Sequence, residues 1–244
     1  FGAVTSTDFL GGRILAGINV QDRYRAKIKR SDRYADPSLD ELLSFEDQDE
    51  VKDGRDYSAN LSWTADVGES GRFGIDGFFV KTDRDVTEVS HEVEYDDGDV
   101  IESNVPGFSP VDQVNWGIGA EYRFEMAGGT TSLDLDHARF EDDSSESEQK
   151  HEYVNGEWDA SEAEAQSVDA IDKETGFTLA HKRALGSTEL QFGVDWRSKK
   201  RDITYTNFEW EADNEGDPVV YELDGSIGSL IEETRVDPYV MVSG

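Results

Sequence analysis

The chain has 244 residues, 55 acidic against 23 basic side chains, a formal net charge of -32 and a mean hydropathy of -0.67. That charge disfavours nucleic acid as a partner, and the absence of cysteine excludes disulfides and thiolate metal sites. No run is apolar enough for a membrane helix and no secretory signal opens the chain, but neither point bears on a membrane barrel, whose strands are short and only alternately apolar.

Phe1 to Gly12 carries little pattern beyond a turn at Gly11-Gly12. From Ile14 one parity holds Ile14, Ala16, Ile18, Val20, Tyr24, Ala26 and Ile28, and the other holds Gly17, Asn19, Gln21, Arg23, Arg25, Lys27 and Lys29. Side chains on a strand alternate between faces, so this reads as a long first strand. A polar stretch follows at residues 31–55. Tyr57, Ala59, Leu61, Trp63 and Ala65 then alternate with polar residues, and a tight connection at residues 67–71 leads to Phe73, Ile75 and Phe79.

After an acidic stretch at residues 82–112 comes the clearest pattern. Val114, Trp116, Ile118, Ala120, Tyr122, Phe124 and Met126 share one face, with Asn115, Gly117, Gly119, Glu121, Arg123 and Glu125 on the other. Ala127-Gly128-Gly129-Thr130 supplies a turn, and Leu133 and Leu135 return. Residues 140–173 are acidic and irregular, with some helix expected around residues 160–165. Phe177, Leu179 and His181 alternate next; Leu185-Gly186-Ser187 turns the chain into Leu190, Phe192, Val194 and Trp196. Polar residues 208–234 precede a last strand from Arg235 to Met241, which Pro238 weakens because proline cannot donate to a ladder.

This gives about eight strands joined alternately by three tight turns and four long connections. Structureless loops beyond about 15 residues are uncommon in compact soluble domains. In an outer-membrane barrel the asymmetry is expected, with short periplasmic turns and long extracellular loops. The four long connections hold 40 acidic and 6 basic residues, a net of -34, and the rest of the chain is +2. The expectation is therefore an all-β, antiparallel up-and-down transmembrane β-barrel segment with long acidic extracellular loops. Trp116 and Trp196 toward the loop side, and Phe124 toward the turn side, fit interfacial aromatic belts.

The runs GRFGIDGFFVKTDRDVTE, VNWGIGAEYRFEMAGGTTSLDLDHARFEDD, LAHKRALGSTELQFGVDWRSKKRD and ETRVDPYVM resemble TonB-dependent receptors of the Gram-negative outer membrane. The resemblance implies a nutrient receptor for a siderophore or carbohydrate, made with a signal in its precursor. It implies as partners outer-membrane lipid, a plug domain, the remaining barrel strands and the TonB energy-coupling protein. Residues 1–244 would then be part of a single outer-membrane barrel domain, without plug or terminal strands. An open wall is expected, with edges at the first strand near Ile14 and the last near Val236.

Two other classes stay open: a complete small eight-stranded barrel with a structural or adhesive role, and a soluble secreted β protein binding carbohydrate or calcium. No catalytic set or cofactor motif stands out, so no enzyme is expected. His91, His137, His151 and His181 lack metal-ligand spacing. Asp96-Asp97-Gly98-Asp99 and Asp213-Asn214-Glu215-Gly216-Asp217 read as solvated acid and not as calcium sites. Candidate ligand or plug contacts are Arg23, Arg25, Lys27, Lys29, Arg197, Lys199 and Arg201, which share the lumen-facing parity. They either form a positive wall for an anion or pair with inward acids such as Asp76, Glu121 and Asp195.

Overall fold

A computed structural model describes residues 1–35 and 41–243. Nine antiparallel strands form one meandering sheet in sequence order: β1 (Gly2–Phe9), β2 (Gly12–Tyr34), β3 (Leu42–Val67), β4 (Gly71–Asp96), β5 (Asp99–Met126), β6 (Gly129–Val154), β7 (Glu157–Leu185), β8 (Thr188–Glu211) and β9 (Glu222–Ser243). The all-β, up-and-down expectation holds. The sheet is open: β1 and β9 do not pair among the described residues.

Several details differ from the sequence expectation. The acidic stretches at residues 82–112 and 140–173 are not loops; the strands run straight through them and turn at their midpoints. The same holds for the described parts of residues 31–55, where 36–40 lie outside the described residues. Among the described residues only the connection from Ala212 to Tyr221 is a loop of any length, and β9 begins at Glu222 instead of Arg235. Residues 160–165 are strand, not helix. An additional strand, β1, precedes Ile14, so the lower part of β2 is not an edge.

Turn chemistry explains the new hairpins. Asp97-Gly98 and Asn155-Gly156 both take positive φ at both positions (47° and 100°, 54° and 81°), the type I′ geometry that matches strand twist. Leu10-Gly11 and Ala127-Gly128 adopt the same signs with a less usual first residue. Pro238 sits on the edge strand opposite Val194, where a missing N–H is tolerated.

Strands β2–β8 are 23–29 residues long, or roughly 75–95 Å. The end carrying Leu10-Gly11, Ala127-Gly128 and Gly186-Ser187 is here the near end, and that carrying Asp97-Gly98 and Asn155-Gly156 the far end. In the near half the ladder aligns every apolar parity on one face. One row runs Ile14, Trp63, Ile75, Ala120, Leu135, Phe177, Trp196 and Val236 across β2–β9.

This band slides as it crosses the sheet. Val20 closes it on β2, and successive partners Tyr57, Lys81, Val114, Glu141 and Ile171 lead from Val20 to Asp202 on β8. Yet on β8 the band already ends at Trp196, six residues nearer the turn than Asp202. The far border therefore steps toward the near end between β5, where Val114 still lies on the Val20 row, and β6–β8, where it runs along Leu135, Phe177 and Trp196. No second layer covers either face: among the described residues only Val93, Ala163 and Ala180 are buried hydrophobics, while Ile118 is 55% and Val240 69% exposed.

Candidate functional site

The opposite, polar face carries all seven candidate cations. Those on β2 and on β8 are six strands apart, so the sheet does not gather them into one site. Most are paired with carboxylates. Arg23 Nε donates to Asp56 Oδ2 at 2.8 Å, and Arg84 Nη2 donates to both oxygens of the same carboxylate. Lys29 lies 3.8 Å from Glu46. Arg25 and Lys27 make no ion pair among the described residues.

On β8, Arg197 sits among Glu174 (3.0 Å), Asp136 (3.2 Å) and Asp195 (3.5 Å), and Lys199 reaches Glu174 at 3.1 Å. Arg201 forms a two-pronged pair with Asp172 (2.6 and 2.5 Å), which holds that carboxyl below the usual carboxylate range despite the opposing effect of burial. Of the inward acids expected as partners, Asp195 pairs as anticipated. Glu121 pairs with Arg123, and Asp76 packs beside Gly119.

A cleft of about 510 Å³ opens here, lined by Glu174, Asp195, Arg197, Lys199, Glu233, Arg235, Asp237 and Tyr239. Four acids face three cations, so the cleft is wet and nearly balanced in charge. It can hydrogen-bond a polar solute of either sign. Two aromatics also cross this face: Phe78 lies over Gly117 (2.6 Å from an ideal Cβ) and Tyr239 over Gly193 (2.7 Å). Only glycine leaves room for these rings.

On the apolar face the rings form a connected set. Trp63 meets Phe73 edge-on at 6.1 Å, Phe73 meets Tyr122 at 6.5 Å, and Tyr122 stacks on Phe124 at 5.1 Å. His137 and His181 share this face, hydrogen-bonded to Thr175 Oγ1 (2.8 Å) and Thr131 Oγ1 (2.9 Å). In each ring Nδ1 is thereby partnered next to apolar neighbours. Among the described residues no three His, Asp or Glu side chains converge as metal ligands. Asp97-Gly98 is a hairpin turn, and Asp217 caps its own loop by accepting from Asn214 N at 2.9 Å.

Sequence reading passed over one set of cations. Arg139, Lys173 and Lys200 sit on the apolar face at the far border of the band, in segments expected to be loop or loop flank. The signal was present as parity: Arg139 continues the Leu133, Leu135, His137 series, and Lys200 continues Val194, Trp196, Ser198.

No family model and no curated protein matches the chain. Solved structures overlap only slightly. The FrpB iron transporter of Neisseria meningitidis is 7% identical with a TM-score of 0.17, over 98% of this chain and 59% of that one. BamA of Haemophilus ducreyi is 6% identical (TM-score 0.12; 95% and 75% covered), and the β domain of the Bordetella autotransporter BrkA 10% (TM-score 0.14; 90% and 98%). The chain spans about three fifths of the FrpB structures it overlaps. Likeness this slight carries no argument about function.

Proposed function

We propose that this sheet is part of the wall of an outer-membrane β-barrel, with its apolar band facing lipid and its polar face lining the lumen. The observation that carries the reading is the band itself: one apolar face, continuous over β2–β9 and backed by a polar face, with no second layer to cover it among the described residues. Water would not tolerate so large an uncovered patch on a soluble protein. A barrel strand needs only about 9–11 residues to cross a bilayer, so the acidic far halves project into water on the outer side.

The wall extends beyond these nine strands. In a strictly alternating meander β1 and β9 run in the same direction, so they cannot close the sheet as an antiparallel pair. Unpaired edges are not tolerated in lipid, so neighbouring strands complete the barrel. Within this class we favour a TonB-dependent receptor that takes up a small nutrient such as a siderophore or carbohydrate. The resemblance of four near-half runs supports that choice. Arg23, Arg25, Lys27, Lys29, Arg197, Lys199 and Arg201 would then meet solute or plug from the lumen side.

The test is a pair of measurements on cells producing the full gene product. The protein should fractionate with the outer membrane, and deletion of its gene should abolish uptake of one nutrient that also depends on the inner-membrane proton gradient. Recovery in the soluble periplasm or medium would overturn the membrane reading. Outer-membrane location without any gradient-dependent uptake would overturn the receptor reading alone and leave a structural barrel.

A further inference from the structure

We infer that Arg139, Lys173 and Lys200 form a docking surface for anionic, phosphate-bearing lipid headgroups at the outward border of the apolar band. This rests on the membrane reading above and adds a ligand that the lumen does not touch. The three residues are direct ladder partners on β6, β7 and β8: Arg139 faces Lys173, and Lys173 faces Lys200. Like charges directly opposite one another on a sheet repel. Lys173, in the middle, is exposed and makes no ion pair among the described residues. Lys200 is drawn sideways to Glu232 at 2.8 Å. Arg139 lies 2.5 Å from Glu141, but its Nε is shielded from solvent and makes no hydrogen bond. An anion placed over Lys173 would relieve the repulsion.

The residues below the cations specify a lipid and not a free ion. Each strand repeats the same series on this face, at steps of two residues toward the near end. On β6 it is Arg139, His137, Leu135; on β7, Lys173, Thr175, Phe177; on β8, Lys200, Ser198, Trp196. Because these positions are in register, three rows result: cations, then imidazole and hydroxyls, then apolar side chains. A phosphate on the first row leaves ester and hydroxyl groups at the second and acyl chains on the third. Trp116, the β5 partner of Arg139, closes the side of the patch with a ring suited to the interface. Glu141 and Asp202 lie one row further out, beyond the first row, and set its outer limit.

The experiment uses the full gene product in phosphatidylcholine vesicles with and without spin-labelled phosphatidic acid. Insertion is scored separately, by protection of the near half from protease. Arg139→Gln, Lys173→Gln and Lys200→Gln together should lower the affinity for the labelled lipid by about tenfold or more. A charge-matched triple on the polar face, Arg13→Gln, Arg72→Gln and Lys182→Gln, should leave it within about twofold, since those side chains face away from lipid. If both triples lose affinity equally, net charge alone is at work and the inference fails. If the first triple binds as the parent does, it fails too.

Lys173→Glu provides the variant least able to disturb folding, because the side chain is exposed and unpaired; it should lower affinity on its own. Inorganic phosphate should not displace the lipid, and effective competition would mean an ion site without lipid specificity. If the unaltered protein does not insert at all, the membrane reading falls, and this inference with it. Insertion without preference for phosphatidic acid overturns the inference alone.

Discussion

Glu148 on β6 lies directly opposite Glu164 on β7, in a row that also holds Glu50, Glu88 and Glu209 on β3, β4 and β8. Burial pushes the Glu148 carboxyl above its ordinary value of 4.5, and Glu146, Glu88, Glu164 and Glu162 push it further the same way. A carboxyl raised on folding favours the protonated folded form. Its ionisation therefore costs stability above the folded value, and that cost vanishes as the pH falls toward 4.5. The far halves of β6 and β7 should show higher protection factors (exchange relative to the intrinsic amide rate at the same pH) at pH 5 than at pH 7.5. Glu148→Gln should raise the protection factors at pH 7.5 and flatten their dependence on pH. Lower protection factors at pH 5 in the unaltered protein would contradict the assignment. The Asp172–Arg201 pair acts with the opposite sign, and its contribution disappears only as the pH falls through the ordinary aspartate range and below.

The two faces of the near half predict a sharp asymmetry. Ile118 and Val194 lie inside the apolar band, and each should cost roughly 2–4 kcal/mol when replaced by arginine near the membrane midplane. Ser62 and Asp195 lie on the opposite face; arginine at Ser62 should cost little, whereas at Asp195 it would also lose the pair with Arg197 and the Thr178 hydrogen bond. Spin labels at Ile118 and Val194 should be relaxed by lipid-soluble oxygen, and labels at Ser62 and Asp195 by a water-soluble nickel chelate. Equal behaviour on the two faces would remove the lipid from the account.

The near half was legible in the sequence because its two faces differ in chemistry. Trp116, Ile118 and Ala120 alternating with Asn115, Gly117 and Gly119 is a period-two signal only because one side avoids water. The far halves are strands with polar and acidic residues on both faces, so little alternation results: in residues 160–165, Glu162 and Glu164 alternate with Ala163 and Ala165 over too short a run to read. The acid was placed correctly at one end of the molecule and wrongly in loops. The best local evidence lay in Asp97-Gly98 and Asn155-Gly156, strong hairpin turns in the middle of the supposed loops. The seven polar-face cations were legible as a shared parity. Their carboxylate partners were not, because Asp56, Glu174 and Asp172 reach them only through cross-strand register.

Close packing on the polar face makes Gly193 a sensitive position. A Cβ there would run into the Leu179 carbonyl oxygen and the ring of Tyr239, whose Oη lies 2.7 Å away and Cζ 2.8 Å. The carbonyl belongs to the β7 ladder and cannot yield. Gly193→Ala should destabilise the β7–β9 part of the sheet by about 1–3 kcal/mol. Tyr239→Ala removes the ring but leaves the carbonyl, so it should rescue only part of that loss in the double variant. Full rescue would show that the ring alone sets the constraint.

Protease sensitivity should follow strand pairing instead of charge. The far-half stretch at 140–173 is the most acidic part of the chain, yet its backbone is held in the β5–β6–β7 ladders. The stretch from Ala212 to Tyr221 is the longest connection without strand among the described residues, and it carries Glu215 and Asp217. Glutamyl endopeptidase added to intact cells should therefore cut first after Glu215. Asn155-Gly156, a two-residue turn bound on both sides, should resist for longer, and the near-end turns at Ala127-Gly128 and Gly186-Ser187 should not be reached. Mapping the first fragments by mass spectrometry decides the point. First cuts within 140–173 would mean that those strand halves open in solution, and cuts near Ala127 would reverse the orientation of the sheet in the membrane.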